Sequence, residues 1–272
     1  VKNKRKVELV VLSDVHLGTY GCHAEELLKY LKSIQAETVV LNGDIIDMWN
    51  FTKSYFPSAH MNVLRYIIKM LANGTKVIYI TGNHDEALRK YTDLVMGDFE
   101  LVDKLVLDLD GNKTWIFHGD VFDSSTIGYA KIIAKIGGKG YDLLILINSM
   151  VNWFLVLMGK EKRSFSKAIK DSVKKAVAFI SNFEATAAEI AIEKKYSHVV
   201  CGHIHKPQMK QIDTENGSVM YLNSGDWVEN LTALEYHNKT WSIYYYNNAD
   251  FTKDNSVEEN DKMDIVAKIL QE

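Results

Sequence analysis

Three short runs of aliphatic and β-branched residues, VELVVLS (7–13), ETVVLNGD (37–44) and KVIYITGN (76–83), alternate with stretches whose apolar residues recur every three to four positions. HAEELLKYLKSI (23–34) puts Leu27, Leu28, Leu31 and Ile34 on one helical face. MNVLRYIIKMLANG (61–74) does the same until Gly74 stops it. Strands joined through helices run parallel, so this rhythm predicts a largely parallel sheet covered by helices. DEALRKYTDLVMG (85–97) reads as one more helix. KLVLDLDGNKTWIFHGD (104–120) breaks the rhythm, because two apolar runs around Asp110-Gly111-Asn112 spell a hairpin. Strands return from Tyr196 in HVVCGH, SVMYLNSG, TALEYH and TWSIYYY, and the polar residues from about Asp250 read as a surface loop and a short helix. A chain of 272 residues with this pattern is expected to form a single α/β domain, 1–272.

Between the two halves lies a helical insertion over roughly 125–195. Its core, LLILINSMVNWFLVLM (143–158), is the most apolar stretch of the chain. Sixteen residues fall short of the ~20 needed to span a bilayer, and Asn148, Ser149 and Asn152 interrupt them. From Thr126 to Lys175 ten Lys and Arg face three Asp and Glu, in a chain whose formal net charge is −3. Two readings follow: a buried core helix beside a solvated charged one, or an apolar lid that touches lipid while its basic flanks meet anionic head groups. The net charge argues against bulk attraction to nucleic acid. Two cysteines, Cys22 and Cys201, make no disulfide framework, which points to a reducing, cytoplasmic setting. The opening VKNKRKVELVVLSD is basic and then apolar, but the run is too short for a secretory signal and no small-residue cleavage site follows. It reads as a solvated leader and the first strand.

The chemistry-bearing residues sit where strands are expected to end: Asp14 and His16 in SDVHLG, Asp44 and Asp47 in NGDIID, Asn83, His84 and Asp85 in TGNHDE, His118 and Asp120 in FHGD, His203 and His205 in CGHIH. In an α/β sheet the loops leaving the strand ends share one crevice. A lone Asp-x-His or Gly-Asp is more often a cap or turn. On a strand His203 and His205 would point to opposite faces, while on a turn both can reach one site. Five of the nine histidines at strand ends beside glycine or carboxylate form a combination that chance rarely gives. Mixed imidazole and carboxylate donors suit Mn²⁺, Fe or Zn²⁺ better than Ca²⁺ or Mg²⁺, and no cysteine spacing suggests structural zinc. The donors exceed what one ion needs. Two ions ~4 Å apart sharing a carboxylate are the usual device for displacement at phosphorus.

The ordered set Asp-x-His, Gly-Asp-x-x-Asp, Gly-Asn-His-Asp, His-Gly-Asp, Gly-His-x-His resembles the calcineurin-like metallophosphoesterase superfamily, with all five blocks present in order across residues 14–205. The resemblance implies a four-layer α-β-β-α sandwich of two mixed sheets, with residues 125–195 as a helical lid. It implies a metal-dependent hydrolase of phosphoric esters or pyrophosphates with two divalent ions, Mn²⁺ before Fe or Zn²⁺. Carried over position by position, Asp14, His16 and His205 would hold one ion and Asn83, His118 and His203 the other, with Asp44 bridging. His84 would protonate the leaving oxygen, oriented by Asp47. The alternative for His84 is a purely electrostatic role towards a phosphoryl oxygen.

Within the superfamily, GDIIDMWNF, the basic insertion after HGD, CGHIHKP and YLNSGDWVEN are most similar to the UDP-2,3-diacylglucosamine hydrolases. That branch implies cleavage of the pyrophosphate of a UDP-linked, doubly acylated sugar in lipid A synthesis, giving UMP and a lipid phosphate (lipid X). The partners implied are this lipid-linked nucleotide sugar and, through the insertion, the surface of the inner membrane, with no nucleic acid. Trp49, Asn50, Lys160, Arg163 and Trp227 are the candidate pocket residues, and Asn223 and Asp226 stand close to ligand-bearing loops. The best-known members of that branch carry Arg where this chain has His84, so a second reading stays open: a soluble phosphodiesterase or nucleotide pyrophosphatase whose apolar helix completes the core. A non-enzymatic scaffold is a third, ranked last because none of the seven ligands is missing.

Overall fold

The apolar runs pair into two sheets, seen in a computed structural model that describes residues 4–49, 55–125 and 165–251. The first sheet contains β1 (Arg5–Leu12), β2 (Ile34–Asn42), β3 (Lys76–Ile80), β4 (Leu94–Met96), β5 (Phe99–Val102), β11 (Thr232–His237) and β12 (Thr240–Tyr245) in the order β12-β11-β1-β2-β3-β5-β4. The second contains β6 (Lys104–Leu109), β7 (Asn112–Phe117), β8 (His198–Cys201), β9 (Gln208–Thr214) and β10 (Gly217–Asn223) in the order β6-β7-β8-β10-β9. Strands β1, β2 and β3 are parallel, and so are β7, β8 and β10. Each sheet is mixed, because β11 joins β1 antiparallel and β6 joins β7 antiparallel.

Strand alternation assigns the layers. Val10 and Leu12 face a core with α1 (Ala24–Ser33) and α2 (Ser58–Ala72), where Leu27, Leu31 and Val63 are buried. Their neighbours Leu9 and Val11 face the other way, meeting Ile116, Val200 and Leu222 of the second sheet. The outer face of that sheet, with Phe117, Val199, Cys201 and Tyr221, is covered by Phe183, Ala187, Ala188 and Ala191 of α3 (Phe165–Glu193). Small residues at 187, 188 and 191 let the helix lie close on the strands. The result is the expected α-β-β-α sandwich.

Two local expectations are corrected. Residues 85–97 do not form a helix: a single 3-10 turn, Glu86–Tyr91, leads into a β4–β5 hairpin closed at Gly97 and Asp98. Helix-forming Glu86, Ala87 and Leu88 yield to the parallel pairing of β5 with β3, a tertiary preference that no local pattern carries. Strand β9 was not foreseen, because QMKQIDT is polar, as suits an edge strand. The apolar run 143–158 and the residues around it, 126–164, lie outside the described residues. Among the described residues no helix is long and apolar enough to cross a membrane.

Candidate metal centre

Strands β1, β2, β3, β7 and β8 each release their chain at the same end of the sandwich, and each carries one of the five motifs on the loop that follows. The loops continue the pairing of the strands: Asp14 N donates to Gly43 O (3.1 Å), His16 N to Asp44 O (2.9 Å) and Gly202 N to His118 O (3.0 Å). Asp14, His16, Asp44, His203 and His205 all lie in the left-handed region, with φ between 52° and 64°. Residues with a side chain pay for that conformation, and it recurs where function demands it. A left-handed residue swings its side chain out of the strand alternation. His203 and His205 therefore escape the opposite-face rule, because β8 stops at Cys201 and both rings are delivered by a turn.

The side chains assemble into overlapping groups whose donor atoms lie within 4.8 Å of one another: Asp14, His16 and His205; His16, Asp44 and His84; Asp44, His118 and His203. Asp14 accepts His203 N–H at Oδ2 (3.0 Å), while its Oδ1 lies 3.2 Å from His205 Nε2. Asp44 accepts His84 N–H at Oδ1 (2.8 Å), and its Oδ2 lies 3.2 Å from His118 Nε2. One oxygen of each carboxylate thus ties down a neighbouring ligand loop and the other faces an imidazole. His118 Nδ1 is 2.9 Å from the Asn42 carbonyl. A carbonyl only accepts, so Nδ1 carries a proton and Nε2 is the atom left for a metal. His16 Nδ1 faces Asp47 Oδ2 at 3.4 Å, which leaves its Nε2 in the same role.

Two glycines make this packing possible. A Cβ on Gly82 would come within 3.0 Å of Asp44 Oδ1, Asp44 N and His118 Cδ2, and one on Gly43 would run into the His118 ring. Asp85, named among the strand-end residues but given no role there, ties the loops from behind. Its buried carboxylate accepts Gly82 N–H (2.6 Å), Ile45 N–H (3.0 Å) and Tyr79 O–H (2.6 Å), joining the Asp44 and Asn83 loops to β3. Its place directly after Asn83-His84 was the available signal.

The residues fit a pair of divalent cations. His16 Nε2 and Asn83 Oδ1 are buried without a hydrogen-bond partner, and the buried Asp14 Oδ1 and His118 Nε2 meet only the facing His205 and Asp44 at 3.2 Å. An unpartnered buried polar atom costs of order 1–3 kcal/mol, and each of the four is an atom that can ligate a metal. Without cations the charges are shared out as ion pairs. Burial pushes the Asp14 and Asp44 carboxyls up, but facing imidazoles, His205 for Asp14 and His118 for Asp44, outweigh it; Asp14 is held well below the usual range and Asp44 at about 2. Burial pushes His205 and His118 down, and Asp14 and Asp44 overcome it, raising His205 to about 9 and His118 well above the usual imidazole range. The imidazolium ions occupy electrostatically the place a metal takes.

Of the remaining candidates, His84 Nδ1 lies 3.0 Å from Asp47 Oδ1, and Trp49 packs tilted against the His84 ring, centroids 4.5 Å apart and planes at 35°. Trp49 is half exposed at the mouth of the site. Trp227 is not a pocket residue. It is fully buried against Tyr30, ring centroids 5.5 Å apart, and supports the site through its backbone N–H to Asp14 O (3.1 Å). Its indole belongs to the core cluster that holds Val15, Leu17 and Tyr30. Asn50, Lys160 and Arg163 lie outside the described residues.

Comparison with known proteins agrees with the geometry. A UDP-2,3-diacylglucosamine hydrolase of Aliivibrio fischeri (strain MJ11) is 24% identical over 248 residues, covering 87% of this chain and 97% of that protein. One of Neisseria meningitidis serogroup C (strain 053442) is 30% identical over 229 residues, covering 82% and 91%. Among solved structures, an archaeal phosphodiesterase overlaps 87% of this chain and 98% of its own at a TM-score of 0.44 and 15% identity. The profile of the calcineurin-like phosphoesterases matches residues 7–207, a span that takes in every motif described above. The chain belongs to the calcineurin-like phosphoesterase family of metal-dependent hydrolases.

Proposed function

We propose that the chain hydrolyses the pyrophosphate of a UDP-linked, acylated sugar, UDP-2,3-diacylglucosamine, releasing UMP and the diacylated sugar phosphate. The observation that carries this reading is the likeness to UDP-2,3-diacylglucosamine hydrolases, which spans 82–87% of this chain and 91–97% of those relatives. Asp14, His16 and His205 hold one divalent ion, Asn83, His118 and His203 the second, and Asp44 is shared. Bound there, the ions supply Lewis-acid charge for the phosphoryl oxygens and lower the pKa of water. Mn²⁺ is the ion proposed, with Fe and Zn²⁺ as alternatives for this donor set. In the reaction a water oxygen joins phosphorus and the bridging P–O bond breaks. His84, backed at Nδ1 by Asp47, is left with Nε2 to hand a proton to the departing oxygen. Trp49 borders the approach, and Asn50, Lys160 and Arg163 are proposed as further pocket contacts.

The insertion at 125–195 completes the reading. Its apolar run receives the acyl chains and meets the inner membrane while its basic flanks face anionic head groups. Each methylene buried there contributes ~0.8 kcal/mol. His84 favours a second reading, a soluble phosphodiesterase or nucleotide pyrophosphatase, since the best-known members of the branch just named carry Arg at that position. Mn²⁺-loaded protein given UDP-2,3-diacylglucosamine in detergent and ¹⁸O water decides between them. Release of UMP and diacylated sugar phosphate, one carrying ¹⁸O, supports the first. No turnover, alongside rapid hydrolysis of bis(p-nitrophenyl) phosphate, transfers the assignment to the second.

A further inference from the structure

The two candidate subsites are built unequally. His118 is fully buried at the end of β7 and pinned at Nδ1 by the carbonyl of Asn42, the last residue of β2 in the facing sheet. His205 has a side chain 38% exposed on a left-handed turn, and nothing within β8 holds it. Its support comes from a different element, the loop after β10. Asn230 Nδ2 donates to the His205 carbonyl at 2.7 Å and to Asp226 Oδ2 at 2.5 Å. Asp226 is fully buried, and its Oδ1 accepts the backbone N–H groups of Val228 (2.8 Å), Glu229 (2.5 Å) and Asn230 (3.1 Å). Oδ2 of the same carboxylate lies 3.9 Å from His205 Nδ1, an ion-pair separation on the side of the ring away from Asp14. The next residue, Trp227, donates its N–H to the Asp14 carbonyl. The loop therefore grips Asp14 and His205, two members of one subsite. Among the described residues, Asp226 and Asn230 share no hydrogen bond with Asp44, Asn83 or His118.

We propose that Asp226 and Asn230 are positioning residues for the subsite of Asp14, His16 and His205, and that they set the metal affinity of that subsite alone. Asn230 locks the main chain of His205 in its left-handed turn, and Asp226 orients the ring by its charge at Nδ1 while holding Asn230 in place. Outer partners of ligating histidines commonly contribute 10- to 100-fold in affinity. The proposal rests on the dinuclear reading of the site.

Stepwise Mn²⁺ binding to the full chain, followed by calorimetry and by the electron paramagnetic resonance of bound Mn²⁺, tests it without recourse to activity. The wild type is expected to take two ions. Asn230→Ala is expected to weaken one step by roughly 10- to 100-fold and to leave the other step, and the melting temperature of the metal-free protein, essentially unchanged. Asp226→Asn is expected to weaken the same step. If Asp226→Asn does not fold, Asn230→Ala and the near-isosteric Asn230→Asp decide, the latter losing the donor to the His205 carbonyl and weakening the same step. Equal weakening of both steps, or no change in either, overturns the proposal. A wild type that binds a single ion removes the dinuclear reading, and this proposal with it.

Discussion

His84 Nδ1 lies 3.0 Å from Asp47 Oδ1, and Asp47 is almost fully buried. A buried carboxylate facing one ring nitrogen fixes the ring and leaves the other nitrogen for substrate. Burial lowers the His84 pKa, but Asp47, with Asp44 behind it, raises it above the usual imidazole value. His84→Ala is expected to lower kcat by ~10²–10⁴ with metal content retained. Asp47→Asn is expected to lower kcat and to move the alkaline limb of the pH–kcat profile to lower pH, because the group holding the proton on His84 is gone. An alkaline limb at unchanged pH would remove Asp47 from this role.

The ion pairs of the metal-free site dictate opposite responses to pH with and without cations. His205, raised to about 9, and His118, raised well above the usual imidazole range, stabilise the metal-free fold fully below the unfolded imidazole pKa of ~6.5, and that stability is lost as pH rises through their folded values. The lowered carboxyls of Asp14 and Asp44 contribute above ~4, and their contribution is lost only in acid. Metal ions must displace the imidazole protons, so their stabilisation grows as pH rises. Between pH 6.5 and 9 the gap in melting temperature between Mn²⁺-loaded and metal-free protein is expected to widen. Calorimetric titration at pH 7 in buffers of different ionisation enthalpy is expected to register proton release. A gap independent of pH, with no protons released, would contradict the assignment of these imidazoles.

Gly82→Ala places a methyl group against Asp44 and His118 at once. The crowding is expected to cost about 1–3 kcal/mol of stability, and metal content is expected to fall with the sandwich still folded. Far-ultraviolet circular dichroism with metal analysis reads both. Retention of two ions would mean that Asp44 can retreat without losing its role.

The two tryptophans near the site separate packing from recognition. Trp227→Ala empties a fully buried position and is expected to cost about 3–5 kcal/mol in urea denaturation. Trp49→Ala, half exposed on the face of His84, is expected to change stability by no more than ~0.5 kcal/mol while raising KM. The reverse pattern would exchange their roles.

The parallel strands, the β6–β7 hairpin and the ligand loops were legible because each rests on a local signal. β-branched runs mark the strands, Asp110-Gly111 marks the turn, and Asp and His beside glycine mark the strand ends. The convergence of Asp14, Asp44, Asn83, His118, His203 and His205 followed from their order along the chain. What stayed hidden depends on partners distant in sequence. The β4–β5 hairpin exists because β5 finds β3, and β9 because β10 offers an edge. The left-handed conformation of Asp14, His16, Asp44, His203 and His205 falls on residues that are not themselves glycine, so residue type did not announce it. The burial of Trp227 and the tether at Asp85 are decided by what packs behind the site.

The central claim is that this metal centre serves an acylated, UDP-linked sugar. The most direct measurement is the ratio of kcat/KM for UDP-2,3-diacylglucosamine to that for UDP-glucosamine, with Mn²⁺-loaded protein in mixed micelles. Acyl chains buried at ~0.8 kcal/mol per methylene predict a ratio above about a hundredfold. A ratio near one, with a short-chain phosphodiester cleaved as fast as either, would contradict the account.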